Sequence, residues 1–415
     1  MSFTGRFYLS AAALSAGLAM SGTTGAQAAD VDAPAPPVAV NEQLRPGYDQ
    51  VGIRSGSFLF LPSLLSTVTF DDNVYATRSK TSDVVFRQSP MVQFKSDWSR
   101  HSLEGEFGVE GVEYVRQSKL NHINARIGAV GKFELGSSSN VVIESRFVRS
   151  ADTLPQTGLA SPDGPITVNT WTDGATFNHR QNRWVMSAAA SWTYNLYENA
   201  KSFGVPVDQS FRNGYILNFT DRIGYEVSPS TVVFFQPGYN LRRFQNRSFN
   251  SEGYKLYGGF STELTRLIVG EAYGGYLFQD FDNPTVPSLS TYGFGARLRW
   301  FATPLLTVSA SANRDVGDPS STGAAPPVSN SFSLQTDYSI YHNMIWSTSG
   351  SYSVSKHTSP SYYEYSYMAS TGLTYMFNRS LQGTMSFQRQ WKENATLALN
   401  NNNRNQIVFG LKGQF

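Results

Sequence analysis

From Ser55 to Phe415 the side chains alternate apolar and polar through one segment after another. A period of two admits only strands with one face in an apolar medium and the other in a polar one. In 123–135, Ile123, Ala125, Ile127, Ala129, Phe133 and Leu135 fall on one face and Asn124, Arg126, Lys132 and Glu134 on the other. In 184–196, Trp184, Met186, Ala188, Ala190, Trp192, Tyr194 and Leu196 oppose Ser187, Ser191, Thr193 and Asn195. The runs 292–300 and 363–377 repeat the pattern with Tyr292, Phe294, Leu298 and Trp300, and with Tyr363, Tyr365, Tyr367, Leu373 and Phe377. No helical period competes with it.

A soluble sandwich also alternates, so length and order must decide. The alternating runs are commonly about 11–15 residues, against roughly 5–6 for globular strands and about 9–11 needed to cross an apolar bilayer core. Short turns fall near 98–101, 135–139, 180–183, 226–230, 264–267, 301–304, 341–343 and 378–380. Between them lie longer polar loops near 70–82, 116–120, 150–169, 198–212, 244–252, 280–290, 314–330, 356–361 and 393–404. Short turns at one rim and long loops at the other are the pattern of membrane barrels. The expected fold is therefore all-β: a transmembrane antiparallel up-and-down barrel of about 18 strands, with 16 as the alternative count.

Composition agrees. Only 15% of residues are charged, while 14% are aromatic; an ordinary soluble domain carries roughly 25% charge. A net charge of +2 gives no basic footprint for nucleic acid. The absence of cysteine excludes a disulfide framework, a thiolate metal site and a cysteine nucleophile. Arg6, the apolar run from Phe7 to Met20 and Ala26-Gln27-Ala28 describe a secretory signal peptide over 1–28. Residues 29–54, Pro-rich and irregular, read as a periplasmic leader or linker, and 55–415 as the barrel. Such a chain belongs in the outer membrane of a Gram-negative envelope, with lipid and lipopolysaccharide around it.

Aromatics cluster at the strand ends. Trp184, Tyr225, Trp300, Phe301, Tyr341 and Phe377 mark a girdle by the short turns, and Trp391 with Tyr114 one by the long loops. Phe409, Leu411, Gly413 and Phe415 share a face of the last strand, an alternating strand with a terminal aromatic of the kind read by barrel-assembly machinery. The opposite phase supplies the pore-lining candidates. These are Glu104, Glu106 and Glu110, then Arg126, Lys132, Glu134, Glu144 and Arg146. Arg180, Arg222, Arg242, Arg297 and Arg299 follow further along. Neither sign dominates, which suits a neutral or mixed solute.

A barrel of this size leaves a watery lumen, and the chain is too short for a large folded plug. Loops 150–169 and 314–330 are the candidates to fold inward, and Tyr257 is a lumen-facing aromatic. Catalysis has little support. Glu104 and Glu106 lack an acceptor motif, and His101, His122, His179, His342 and His357 fall at turns without metal spacing. Neither a metal nor a cofactor is expected. Asp71-Asp72-Asn73 reads as a hydrogen-bonded turn, with a Ca²⁺ loop as the alternative.

The most distinctive stretch is 45–104. It contains Arg45-Pro46-Gly47-Tyr48-Asp49, Gly56-Ser57-Phe58-Leu59-Phe60-Leu61-Pro62 and Phe70-Asp71-Asp72-Asn73-Val74-Tyr75, then Ser89-Pro90 and Lys95-Ser96-Asp97-Trp98-Ser99-Arg100-His101. This stretch resembles the "putative β-barrel porin 2" family of outer-membrane proteins. The resemblance implies a conduit for secreting exopolysaccharide or capsular polysaccharide, fed by a periplasmic polysaccharide-export protein. A diffusion porin for small hydrophilic solutes is the alternative, and a structural or adhesive surface barrel the second. The family lends no catalytic residue.

Overall fold

The computed structural model describes residues 37–152, 164–202, 204–317, 326–358, 361–394 and 401–415. The first strands are β1 (Ile53–Ser55), β2 (Phe58–Asp71), β3 (Asp83–Ser96), β4 (Ser102–Tyr114), β5 (His122–Glu134), β6 (Ser139–Asp152), β7 (Ile166–Gln181) and β8 (Trp184–Tyr197). A small hairpin, β9 (Ala200–Ser202) and β10 (Val205–Val207), decorates the next loop. The wall resumes with β11 (Gly214–Ser228), β12 (Thr231–Phe244), β13 (Ser251–Thr265), β14 (Ile268–Phe281), β15 (Leu289–Thr303) and β16 (Leu306–Val316). It ends with β17 (Val328–Tyr341), β18 (Met344–Thr358), β19 (Ser361–Met376), β20 (Leu381–Asn394) and β21 (Asn402–Gln414).

Apart from the β9–β10 hairpin these strands form one sheet, in which β1 is a three-residue appendage and the other eighteen close into an antiparallel barrel. Every barrel strand pairs with its neighbours in sequence, and β2 closes on β21 from Ser63↔Gln414 to Asp71↔Gln406. Beyond the end of β21, β1 continues that edge, pairing Ile53 with Phe60. Gly52 donates its N–H to the Phe415 carbonyl at 3.0 Å, so the two ends of the wall meet at the rim of short turns.

Those turns share a construction. At Glu226/Ser228, Glu263/Thr265, Phe301/Thr303 and Ser339/Tyr341 the register shifts by a bulge just before a two-residue connection. The hydroxyls of Thr265 and Thr303 then accept the N–H two residues on, from Leu267 and Leu305, each at 3.2 Å. In the β7–β8 turn Asn182 takes the left-handed conformation at φ 53°, which asparagine tolerates better than most residues.

Wall strands of typically 14 residues span about 36 Å along the normal at a tilt of about 40°. That exceeds the apolar band of about 25 Å and leaves a collar for each girdle. The outer surface carries Leu64, Phe70, Phe107, Ile127, Ile143, Phe219, Phe235, Leu334 and Phe387, all exposed. Where polar groups face outward they pair sideways: Ser66 donates to Gln88 at 2.6 Å and Ser145 to Asp173 at 2.6 Å. An unpaired polar group there would meet no water, so such pairing lowers its cost. A closed barrel resists detergent until heated. Unboiled protein should therefore migrate as a distinct band from boiled protein in a detergent gel; a single coincident band would contradict closure.

Two expected placements are corrected. Phe301 does not join the girdle: it is 6% exposed and pairs with inward-facing Thr307. Consecutive strand residues point to opposite sides, and Trp300 already holds the outward position. Tyr114 likewise turns inward, buried with Val74, Val85, Val112 and Leu120. Trp184 and Tyr225 meet outside edge-to-face at 5.1 Å, Trp391 stacks on Tyr367 at 5.1 Å, and Tyr341 and Phe377 are exposed. Phe409, Leu411 and Phe415 are exposed on the outer face of the closing strand. The signal-peptide segment 1–28 lies outside the described residues.

Candidate functional site

The barrel interior is where distant strands meet. On the convex outer face side chains diverge, so contacts between non-neighbouring strands identify the inward phase. Arg222 on β11 reaches Glu271 on β14 at 2.8 Å, and Lys255 on β13 reaches Asp315 on β16 at 2.7 Å. Arg180 on β7 pairs with Glu226 on β11, skipping β8. The ladder registers carry this phase around the wall.

On β4–β6 the register places Glu104, Glu106, Glu110, Arg126, Lys132, Glu134, Glu144 and Arg146 in that inward phase. Glu106 lies 3.7 Å from Arg126, and Lys132 2.7 Å from Glu134. Glu110 accepts hydrogen bonds from Ser89 at 3.2 Å and Asn124 at 2.9 Å. Arg242 points in from β12 and donates to the carbonyls of Gly317 at 2.8 Å and Val316 at 3.4 Å. Arg297 and Arg299 share the inward phase of β15, and Arg299 lies 3.5 Å from Glu42. Seven of the thirteen charges thus lie against an opposite charge, and Glu110 and Arg242 are held by neutral groups. A solute meets a wall of fixed dipoles more than free charges.

Sequence reading missed Lys255, Glu271 and Asp315, and the pair Lys392–Glu364 at 2.8 Å. Their signal was present: each has the polar phase of its own strand. The partners of Lys255, Glu271 and Asp315, however, lie three strands away in the barrel order, and only the register reveals them; Lys392 and Glu364 sit on the adjacent strands β20 and β19.

The wall of β12–β15 is thickened by Phe234, Tyr257 and Tyr273, whose rings lie 5.4 Å (Tyr257–Tyr273) and 6.5 Å (Phe234–Tyr273) apart. Glycine makes room for them. A Cβ on Gly293 would stand 2.3 Å from the Tyr257 hydroxyl, and one on Gly295 2.2 Å from the Tyr273 ring. Tyr257 is only 6% exposed, so it fills the wall and offers no open stacking platform.

The stretch β16–β20 is rich in short hydroxyl side chains, interspersed with Asp337, Gln388 and the Lys392–Glu364 pair. Ser309, Ser311, Ser333, Ser349, Ser351, Ser353, Ser366 and Ser370 fall in its inward phase. Hydroxyls pair across strands, Ser311 with Ser333 at 2.7 Å and Ser349 with Ser370 at 2.8 Å. Each pair keeps free acceptor lone pairs for water or solute.

Both mouths are narrowed. At the long-loop mouth Val74 and Tyr75 fold back against Val85, Val112, Tyr114 and Leu120. Asp71 is held by Arg404 at 2.5 Å and accepts from Gln406 at 2.8 Å and the Asn73 N–H at 2.9 Å. Asp72 accepts from Lys80 at 2.6 Å and from the Asn405 N–H at 2.7 Å. The expected turn at 71–73 is thus also a clasp between first and last strands, with cationic side chains on its carboxylates. Of loop 314–330, Asp315 binds Lys255 on β13 and the carbonyls of Val316 and Gly317 bind Arg242 on β12; residues 318–325, and 153–163 of loop 150–169, lie outside the described residues. At the short-turn mouth residues 37–52 fold back in, and Val40 donates its N–H to inward Thr307 at 3.1 Å.

The histidines serve structure: His101 accepts the Glu134 N–H at 3.1 Å, His179 meets Ser139 at 2.8 Å, and His357 stacks on Tyr362 at 4.2 Å.

Among solved structures the fold is similar to the outer membrane protein OpdK from Pseudomonas aeruginosa, with 11% identity, 86% of this chain and 99% of that chain covered and a TM-score of 0.46. OpdK with vanillate covers the same shares at 10% identity and a TM-score of 0.49. OccAB4 from Acinetobacter baumannii gives 10% identity, 88% of this chain and 99% of that one, and a TM-score of 0.48. At such identities the likeness is one of fold alone. No curated protein matches. The family described as "Putative beta-barrel porin 2" matches residues 45–415, and the chain, an outer-membrane porin-like barrel, belongs to it.

Proposed function

We propose that this protein is a passive channel for small hydrophilic solutes across the outer membrane. The observation that carries the reading is a polar, mostly charge-compensated interior that narrows at both mouths. Val74 and Tyr75 fold in at one end and residues 37–52 at the other. A conduit for exopolysaccharide, the expectation drawn from the 45–104 resemblance, would need both ends clear for an extended polymer. A hydroxyl-rich stretch of wall together with paired charges of both signs favours uncharged or zwitterionic solutes over a single ionic sign. In this reading the Phe409–Phe415 face is the handle for barrel-assembly machinery, and lipopolysaccharide borders the outer girdle.

Reconstituted into planar bilayers, the protein should give steady ohmic conductance with little anion or cation preference. Liposomes containing it should swell in monosaccharides faster than in oligosaccharides. A barrel closed to both ions and sugars would sink the proposal.

A further inference from the structure

We propose that residues 37–52 form a strap that sets the aperture of the short-turn mouth, and that Arg45 is the residue that seats it. The inference rests on the channel reading above. An ordinary leader hangs in solvent, whereas this one buries three of its side chains at the barrel mouth: Ala39 is 3%, Val40 0% and Arg45 4% exposed. Its two halves are fastened to separate parts of the rim. On one side Gln50 donates to the Pro62 carbonyl of β2 at 2.7 Å, and Gly52 to Phe415 at 3.0 Å. On the other, Gln43 donates to the Pro304 carbonyl in the β15–β16 turn at 2.8 Å, and Glu42 lies 3.5 Å from Arg299.

Between these anchors the chain makes a compact turn. The N–H groups of Tyr48 and Asp49 donate to the Arg45 carbonyl at 2.9 and 3.1 Å, and the Asp49 carboxylate accepts the Arg45 N–H at 2.7 Å. From that turn the Arg45 guanidinium reaches Ser339 on β17 at 3.1 Å, the His342 carbonyl at 2.5 Å and, within the strap, the Val40 carbonyl at 3.1 Å. Four strands, β18–β21, separate β17 from β2 around the wall. The strap therefore passes inside the mouth, and its partners Thr307, Ser339 and Arg299 all sit in the inward phase. One guanidinium satisfies acceptors on wall and strap together, a geometry that a monodentate cation cannot reproduce. Because the contacts are hydrogen bonds at a wet mouth, not a packed apolar plug, the strap is displaceable.

The test uses the exported channel in bilayers and liposomes, with heat-modifiable migration as the check on folding. Arg45→Ala should raise single-channel conductance about twofold or more, since access through a wider mouth limits flow less, and should admit larger sugars. The pair Glu42→Ala/Gln43→Ala, at less buried positions, should loosen the same anchor in case Arg45→Ala fails to fold. Val40→Cys/Thr307→Cys joins strap to wall in a chain with no other cysteine. Added to Arg45→Ala, it should restore the narrow aperture when oxidised and release it when reduced. A wild-type channel that conducts weakly beside a strongly conducting Arg45→Ala supports the strap. Wild-type conductance and sieving in all folded variants, or no redox difference, overturns it. Silence of every variant overturns the strap and the channel reading together, whereas a conducting wild type with unchanged variants overturns the strap alone.

Discussion

Asp71→Ala should lower the unfolding midpoint of the barrel more than any substitution at an ordinary outward or loop position. The seam between the first and last strands is among the shortest ladders in the wall: it runs only from Ser63↔Gln414 to Asp71↔Gln406, whereas β18–β19 is paired from Met344↔Tyr375 to Thr358↔Ser361. Asp71 stands at the seam's outer end with its side chain 0% exposed, against Arg404 at 2.5 Å. Truncating it strands a nearly buried guanidinium and orphans Gln406 and the Asn73 N–H. Breaking one side of a buried pair costs about 3–5 kcal/mol. Urea unfolding in detergent, followed by loss of the heat-modifiable band, measures it; a change under about 1 kcal/mol would mean the clasp adds no more than a surface pair.

Acid should weaken the same seam. Burial pushes the Asp72 carboxyl up, but the Asn405 N–H and the Lys80 ammonium outweigh it and hold the group below the usual carboxylate range. A depressed value means its contribution is complete above the ordinary carboxylate range and is lost as pH falls through the folded value. Unfolding midpoints should therefore be flat near neutrality and drop on acidification. Asp72→Asn should flatten the drop.

What could be read from the chain follows from which forces have a period. Outward residues must be apolar along an entire strand, so alternation marked the strands, and loop lengths ordered them into eighteen. The inward phase has no such demand. Arg222 and Glu271 look alike as isolated polar residues 49 positions apart, and only strand register joins them. Phe301 was misplaced because two aromatics adjoin at a strand end and alternation lets one face lipid. The strap was invisible for a different reason. Apart from the Glu42–Arg299 pair, its bonds are to backbone carbonyls and single hydroxyls, groups every turn possesses, so a Pro-rich segment carried no mark of where it would dock.

Neighbouring substitutions on β17 test which way the wall faces. Leu334, 52% exposed, points outward at mid-strand, and Ser333 points inward beside Ser311. Leu334→Arg would place a guanidinium near the centre of the apolar band, at a cost of about 2–4 kcal/mol. Its stem is too far from either girdle for the charge to reach water easily. Ser333→Arg, one residue away, keeps its charge in the watery passage and should leave the unfolding midpoint nearly unchanged. It would instead enter the lumen beside the hydroxyls of Ser311 and Ser351, cutting conductance and tilting selectivity toward anions. Unfolding and reversal-potential measurements on the two variants thus separate cleanly by face. If Leu334→Arg altered conductance and Ser333→Arg altered stability, the register of β17 would be off by one residue, because a single-residue slip exchanges every inward and outward side chain of a strand.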